Sequence, residues 1–131
     1  MAESVSTSLG ALLRRLRNAR GLNFREVAQL ANVDHAYIQR LETGTKTSPS
    51  DEVLMRLIKA LKAPKREALM LPFLTRHPDA PAALVDFVED DDTISFEEFR
   101  GLATLAHRGT GRPDYAIQLA RLRALWDDDH G

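Results

Sequence analysis

Leucines recur at a helical interval near the start of the chain. Leu9, Leu12, Leu13 and Leu16 fall at i, i+3, i+4 and i+7, the apolar stripe of an amphipathic helix, with Arg14, Arg15 and Arg17 on other faces and Gly21 placed to end it. A second helix is predicted over "FREVAQLA", opened by Asn23 as N-cap, with Glu26 as the reciprocal partner of a capping box. Asn32 breaks it, and Asp34 caps a third helix from His35 to about Thr43, which Gly44 stops. After the polar loop "TKTSPS", Ser50 caps a fourth helix. Asp51 and Glu52 suit its positive N-terminal end, and Val53, Leu57, Ile58 and Leu61 form its apolar stripe. A fifth helix, roughly Pro64–Leu74, ends before "RHPDAP", whose two prolines mark a boundary between residues 1–75 and 76–131. "AALVDFVED", "SFEEFRGLATLAHRG" and "RPDYAIQLARLRALW" follow with helical spacing, and Gly109, Gly111 and Pro113 separate the last two. With no strand-like alternation and no internal repeat, the predicted fold class is all-α: five helices, then a small helical C-terminal unit.

The second and third helices, joined by a tight turn in "NFREVAQLANVDHAYIQRLETG", form a helix-turn-helix pattern. On a helix turning about 100° per residue, His35, Ala36, Gln39 and Arg40 occupy one arc while Ile38 and Leu41 face the other way. The apolar pair belongs to the core, and the polar arc is free to enter a DNA major groove. Arg40 can pair with guanine O6/N7, Gln39 with adenine N6/N7, and Ala36 can touch a thymine methyl. His35, near the helix start, can reach a base or a phosphate. Tyr37 lies between the arcs, with its hydroxyl toward phosphate and its ring toward the core. Thr43, Thr45, Lys46 and Thr47 can bond phosphate oxygens, and the start of the second helix around Asn23 can offer backbone N–H groups.

Over residues 9–63 the chain resembles the Cro/CI (xenobiotic response element) repressor DNA-binding domain. The resemblance is carried by Gly21-Leu22 before the second helix, Val27-Ala28 inside it and Ala31-x-Val33 at the turn. Tyr37-Ile38 with Leu41-Glu42-x-Gly44 follow in the third helix, and Pro49-Ser50 precede the fourth. It implies a five-helix domain whose third helix reads DNA, and it places Arg17 and Glu42 at positions that pair inside related domains. Many members carry glutamine where this chain has Phe24, which cannot supply that side chain's hydrogen bonds to the DNA interface.

The 131-residue chain has a net charge of −1, but it divides unevenly. Residues 1–66 hold 12 Lys/Arg against 6 Asp/Glu, a charge of +6, and residues 67–131 hold 6 against 13, a charge of −7. The basic half is the one with the helix-turn-helix, as a polyanion partner requires. Arg14, Arg15 and Arg20 are open to two readings, phosphate contacts or a solvated face. The chain has no cysteine, which excludes disulfides and thiolate metal sites and fits a cytoplasmic location. The first residues lack a signal-peptide pattern, and no apolar run approaches a membrane span.

In the second half, "DDDTISFEEF" imitates the exit of a calcium loop. With Glu98 at loop position 12, however, Phe87 would be the first ligand and Asp92 the turn glycine, so the calcium reading fails. The same residues make a helix start, with Ser95 as N-cap, Glu98 at N3, and Ile94 against Phe99. The four histidines have no metal-ligand spacing, and no lysine follows Lys65, so there is no Ser–Lys pair for self-cleavage. No cofactor, metal site or enzymatic activity is expected.

One helix-turn-helix covers a half-site, so a homodimer on a pseudo-palindromic double-stranded operator is expected. Tyr115, Leu119, Leu122 and Trp126 give the last helix an apolar face that serves dimerisation, packing on the two preceding helices, or both. "FEEFRGLATLAHRGTGRPDYAIQLARLRAL" is similar to the C-terminal unit of DdrO-like repressors, which a separate ImmA/IrrE-type metalloprotease cuts near Arg-Gly to abolish dimerisation. That resemblance implies a sensitive bond around His107 and Arg108. Incubation with a cognate protease is then expected to cut between Ala103 and Gly111, and a chain left intact there overturns the expectation. The leading function is a transcriptional repressor. The alternative is an antitoxin, which binds operator DNA and masks a toxin with its acidic half. A stable heteromeric complex on copurification would mark the antitoxin.

Overall fold

The computed structural model describes residues 7–106 and 114–130, which form eight helices and no strand. They are α1 (Ser8–Ala19), α2 (Phe24–Ala31), α3 (His35–Thr43), α4 (Asp51–Ala60), α5 (Lys65–Arg76), α6 (Ala82–Glu89), α7 (Phe96–Ala106) and α8 (Tyr115–His130). The chain is all-α, as its hydrophobic spacing predicts. No helix among the described residues is long and apolar enough to cross a membrane.

The predicted caps form. Asn23 Oδ1 accepts from the Glu26 amide at 2.8 Å and Glu26 Oε1 accepts from the Asn23 amide at 2.9 Å, a closed capping box at the start of α2. Asp34 caps α3, Ser50 caps α4, and Ser95 with Glu98 closes a second box before α7. Asn32 takes the left-handed conformation at the end of α2 and Gly44 takes it at the end of α3, where the backbone must turn out of the helix.

α1 is the central element, packing on α3, α5 and α6. Its N-terminal turn approaches the last turn of α3 so closely that a Cβ at Gly10 would collide with the carbonyl oxygens of Leu41 and Glu42. Both obstacles are backbone, so no rotamer change can relieve them, and glycine at this position is set by contact distance. The apolar stripe of α1 buries Leu9, Leu12, Leu13 and Leu16 with Val27, Ala31, Ile38, Leu41, Leu54 and Leu57. The same hydrophobic cluster continues through Met70, Leu71 and Leu74 of α5 to Leu84, Val85 and Val88 of α6, and to Phe99 and Leu102 of α7. At its far end Phe73 meets Phe99 edge-on, with ring centroids 5.4 Å apart.

Two details depart from the sequence pattern. In α4 the buried line is Leu54, Leu57 and Leu61, and Val53 and Ile58 lie at its borders. The helix packs on both α2 and α5, which turns Leu54 inward where periodicity alone favoured Val53. Arg15 and Arg20 fit neither of their two readings. Arg15 reaches Asp86 (2.9 Å) and Asp90 (3.0 Å) on α6 and the residue that ends it, and Arg20 donates to the carbonyl of Ala60 at 2.5 Å. They join elements of the fold.

Candidate nucleic-acid interface

α3 presents the arc that the sequence assigned. His35, Gln39 and Arg40 are exposed and Ala36 is half-buried, whereas Ile38 and Leu41 are buried in the core. Tyr37 is half-buried with its ring against the core, and burial holds its hydroxyl above the usual tyrosine pKa. His35 Nδ1 stands 3.6 Å from Asp34 Oδ1, so the first turn of α3 carries both an acceptor and an imidazole at the surface.

The loop after α3 folds back onto its end. The Lys46 amide donates to the Arg40 carbonyl at 3.0 Å, Thr43 Oγ1 lies 3.4 Å from the same carbonyl, and Thr43 and Thr45 hydroxyls are 3.2 Å apart. Thr45 and Lys46 are exposed, and Thr43 and Thr47 are half-buried. Anchored in this way, the loop holds an ammonium and two hydroxyls beside the C-terminal turn of α3, where a DNA backbone flanking the groove would pass.

Asn23 closes the start of α2. Its Oδ1 and its backbone amide are committed to the capping box, so the groups left to face an anion at the start of α2 are its Nδ2 and the amides of Phe24 and Arg25. Arg25 is exposed, and with Gln29, Asn32 and His35 it lines a shallow polar groove between α2 and α3. Sequence reasoning missed Arg25 and Gln29, although 25, 29 and 32 share an i, i+4, i+7 line on the polar side of α2.

A bidentate ion pair sets the angle of α3. Arg17 Nε and Nη2 donate to Glu42 Oε2 and Oε1 at 2.6 and 3.0 Å, and Arg17 Nη1 donates to the Leu22 carbonyl at 2.9 Å. Arg14 adds a further contact with Glu42 at 3.5 Å. The hydrogen bonds to Glu42 raise the Arg17 pKa above its ordinary value. The Arg17 guanidinium also lies over the Phe24 ring, 4.4 Å from its centroid. Phe24 therefore supports the interface from beneath, by stacking on the arginine that holds α3, where the family's glutamine would support it by hydrogen bonding. Arg25, Arg40 and Lys46 have no side-chain partner among the described residues, unlike Arg14, Arg15, Arg17 and Arg20.

The side chains expected on a dimer face turn into their own chain. Leu119 is 5% exposed, Tyr115 packs on Phe87 with ring centroids 5.6 Å apart, and Leu122 touches Gly101. Trp126 lines a groove with Glu97, Arg100, Gly101 and Thr104. Arg123 fastens α8 to α7 through Glu98 at 2.8 and 3.2 Å, which also commits the carboxylate of the apparent calcium loop. These contacts supply the packing expected of α8, and Ile117 and Leu125 remain exposed on its outer side. His107 and Arg108 lie outside the described residues.

The model of a family described as "Helix-turn-helix domain" matches residues 8–69. Among solved structures, the restriction-modification controller protein C.AhdI from Aeromonas hydrophila is 32% identical over 52% of this chain and 98% of its own, with a TM-score of 0.44. No curated protein matches. The matched segment runs from the first residue of α1 into α5 and contains the capped α2, the turn at Asn32 and the exposed arc of α3. The chain belongs to the helix-turn-helix family of the Cro/CI (XRE) type and is a DNA-binding regulator.

Proposed function

We propose that the chain is a homodimeric repressor that places α3 of each copy in the major groove of a pseudo-palindromic operator. The observation that carries this reading is the distribution of free cations around the exposed arc. Arg40 on α3, Lys46 in the anchored loop and Arg25 on α2 are unpaired, while the arginines of α1 are engaged inside the protein. Bases are read by Gln39 and Arg40, with Ala36 and His35 beside them. Thr43, Thr45, Lys46, Thr47 and the Tyr37 hydroxyl hold the flanking phosphates.

The two kinds of contact give different signatures. Arg40→Ala is expected to cost about 1–3 kcal/mol on the cognate operator and to relax selectivity at one base pair per half-site. Lys46→Ala should weaken all sequences alike and lower the salt slope by roughly one unit per copy. Binding titrations on cognate and scrambled duplexes at several salt concentrations separate the two. If neither change affects operator binding, the assigned face is wrong.

A further inference from the structure

At the corner between α6 and α7, carboxylates outnumber the cations that face them. Glu89 ends α6 and Glu67 lies in the first turn of α5; their side chains are 10% and 6% exposed, and both approach the same nitrogen of Arg66, at 3.2 and 2.9 Å. Nη1 of that guanidinium donates to the carbonyls of Asp91 and Ile94, both at 2.9 Å. One arginine of α5 thus gathers the end of α6 and the turn that leads into α7. The other arginines packed around the corner are committed. Arg15 of α1 holds Asp86 and Asp90, and Arg123 of α8 holds Glu98 of α7. Asp91 accepts from the amide and hydroxyl of Thr93 at 2.9 and 2.6 Å, and Asp92 and Lys65 are exposed. Arg66 is left with two buried carboxylates, and one positive charge cannot balance both.

We propose that this cluster is a pH-operated latch: with one proton shared by Glu67 and Glu89 it docks the α6–α7 corner on α5, and on loss of that proton the corner opens while α2 and α3 stay folded. The geometry sets the direction. Losing the proton leaves two buried anions against one guanidinium, and their repulsion acts on the contact between α5 and the end of α6. Opening the corner lets water reach Glu89 and relieves that charge. The helix-turn-helix has supports of its own, the Arg17–Glu42 pair and the apolar stripe of α1, and neither uses a residue of the corner. Burial and the neighbouring Glu67 push Glu89 from 4.5 up to about 8, so the latch is fully closed in acid, weakens through neutrality and is released near 8. Glu67, held below its ordinary value, stays ionised over that interval and adds no slope of its own.

The test is amide hydrogen exchange of the full chain between pH 5 and about 8, and above it, with each rate divided by its intrinsic rate at the same pH. The amides of Asp90, Asp91 and Ile94, bonded to the carbonyls of Asp86, Val88 and Asp91, report the corner, and those of Val27 and Ile38 report α2 and α3. The opening constant of the corner should rise by about tenfold per pH unit and level off above about 8. Near that pH it should exceed the opening constant of Val27 and Ile38 by about tenfold or more, the mark of a local opening. Glu89→Gln should flatten the profile of the corner. Glu67→Gln, a second variant should the first fail to fold, leaves Glu89 the sole carboxylate on Arg66 and should move the levelling to lower pH. Circular dichroism confirms folding at each pH. A flat profile in the wild-type chain, or the same rise in Glu89→Gln, overturns the latch. Equal opening constants in the corner and in α2 and α3 mean that the whole chain unfolds together, and overturn it as well. No DNA enters the measurement, so its outcome is independent of the repressor reading.

Discussion

Replacing Glu42 with alanine is expected to lower the free energy of unfolding by about 3 kcal/mol or more, the range for breaking one partner out of a buried ion pair. Glu42 is 1% exposed and receives both forks of Arg17. Without it, the guanidinium is left in a pocket it cannot leave easily, because the Leu22 carbonyl and the Phe24 ring hold it from the other sides. Arg17 keeps some contact with solvent, at 15% exposure, which places the expected cost toward the low end of that range. The double replacement Arg17→Met with Glu42→Leu should recover much of the loss, since an apolar pair of similar volume removes the unpaired charge. Denaturant titration of the three variants checks this. A loss below about 1 kcal/mol for Glu42→Ala would show that the pair behaves as a surface salt bridge.

The second large effect is a dependence of stability on pH. Arg66 on α5 sits between two carboxylates, 2.9 Å from Glu67 and 3.2 Å from Glu89, and donates to the carbonyls of Asp91 and Ile94 at 2.9 Å. One arginine cannot neutralise two buried carboxylates, so the pair retains a proton. Burial and the neighbouring Glu67 push Glu89 from 4.5 up to about 8, while hydrogen bonds from Glu89 and Arg66 hold Glu67 below its ordinary value. Between pH 4.5 and about 8 the folded chain therefore binds a proton at Glu89 that the unfolded chain has lost. The stabilisation from Glu89 is complete below 4.5 and is lost as pH rises through about 8. Glu67 acts in the opposite sense: its contribution is present above the ordinary carboxylate value and is lost on acidification. Unfolding free energy should thus fall as pH rises across neutrality, by an amount on the order of a few kcal/mol. Glu89→Gln keeps the neutral shape and has no proton to lose, so its profile should be flatter from pH 5 to about 8. An identical slope in the two proteins would rule out Glu89 as the source.

Much of this architecture was legible because local rules and the fold agree. The capping residues Asn23, Asp34, Ser50 and Ser95 each close the helix start that the sequence placed there. The two faces of α3 follow from periodicity, since Ile38 and Leu41 have nowhere to go but the core. Contacts made at long range were not legible. Nothing near Arg15 in sequence announces Asp86 and Asp90, about seventy residues away, and nothing around Gly10 announces the carbonyls of α3. Asn23 shows a local rule fixing part of a residue's chemistry, because the capping box takes its Oδ1 and its backbone amide and leaves its Nδ2. For α8, periodicity finds an apolar face but not what covers it. Only the position of Gly101 and Phe87 shows that its own chain does.

The placement of α1 has a consequence for how the two halves can communicate. It touches α3 at Gly10 and Arg17 and touches α6 at Arg15, so a single helix separates the exposed arc of α3 from the acidic half of the chain. Leu84, Val85 and Val88 of α6 belong to the same core as the stripe of α1. Any event that lifts α6 would strip one side of α1 and free Arg15 in the same movement. The route from the acidic half of the chain to the exposed arc of α3 is one helix long, and that helix is held on both sides.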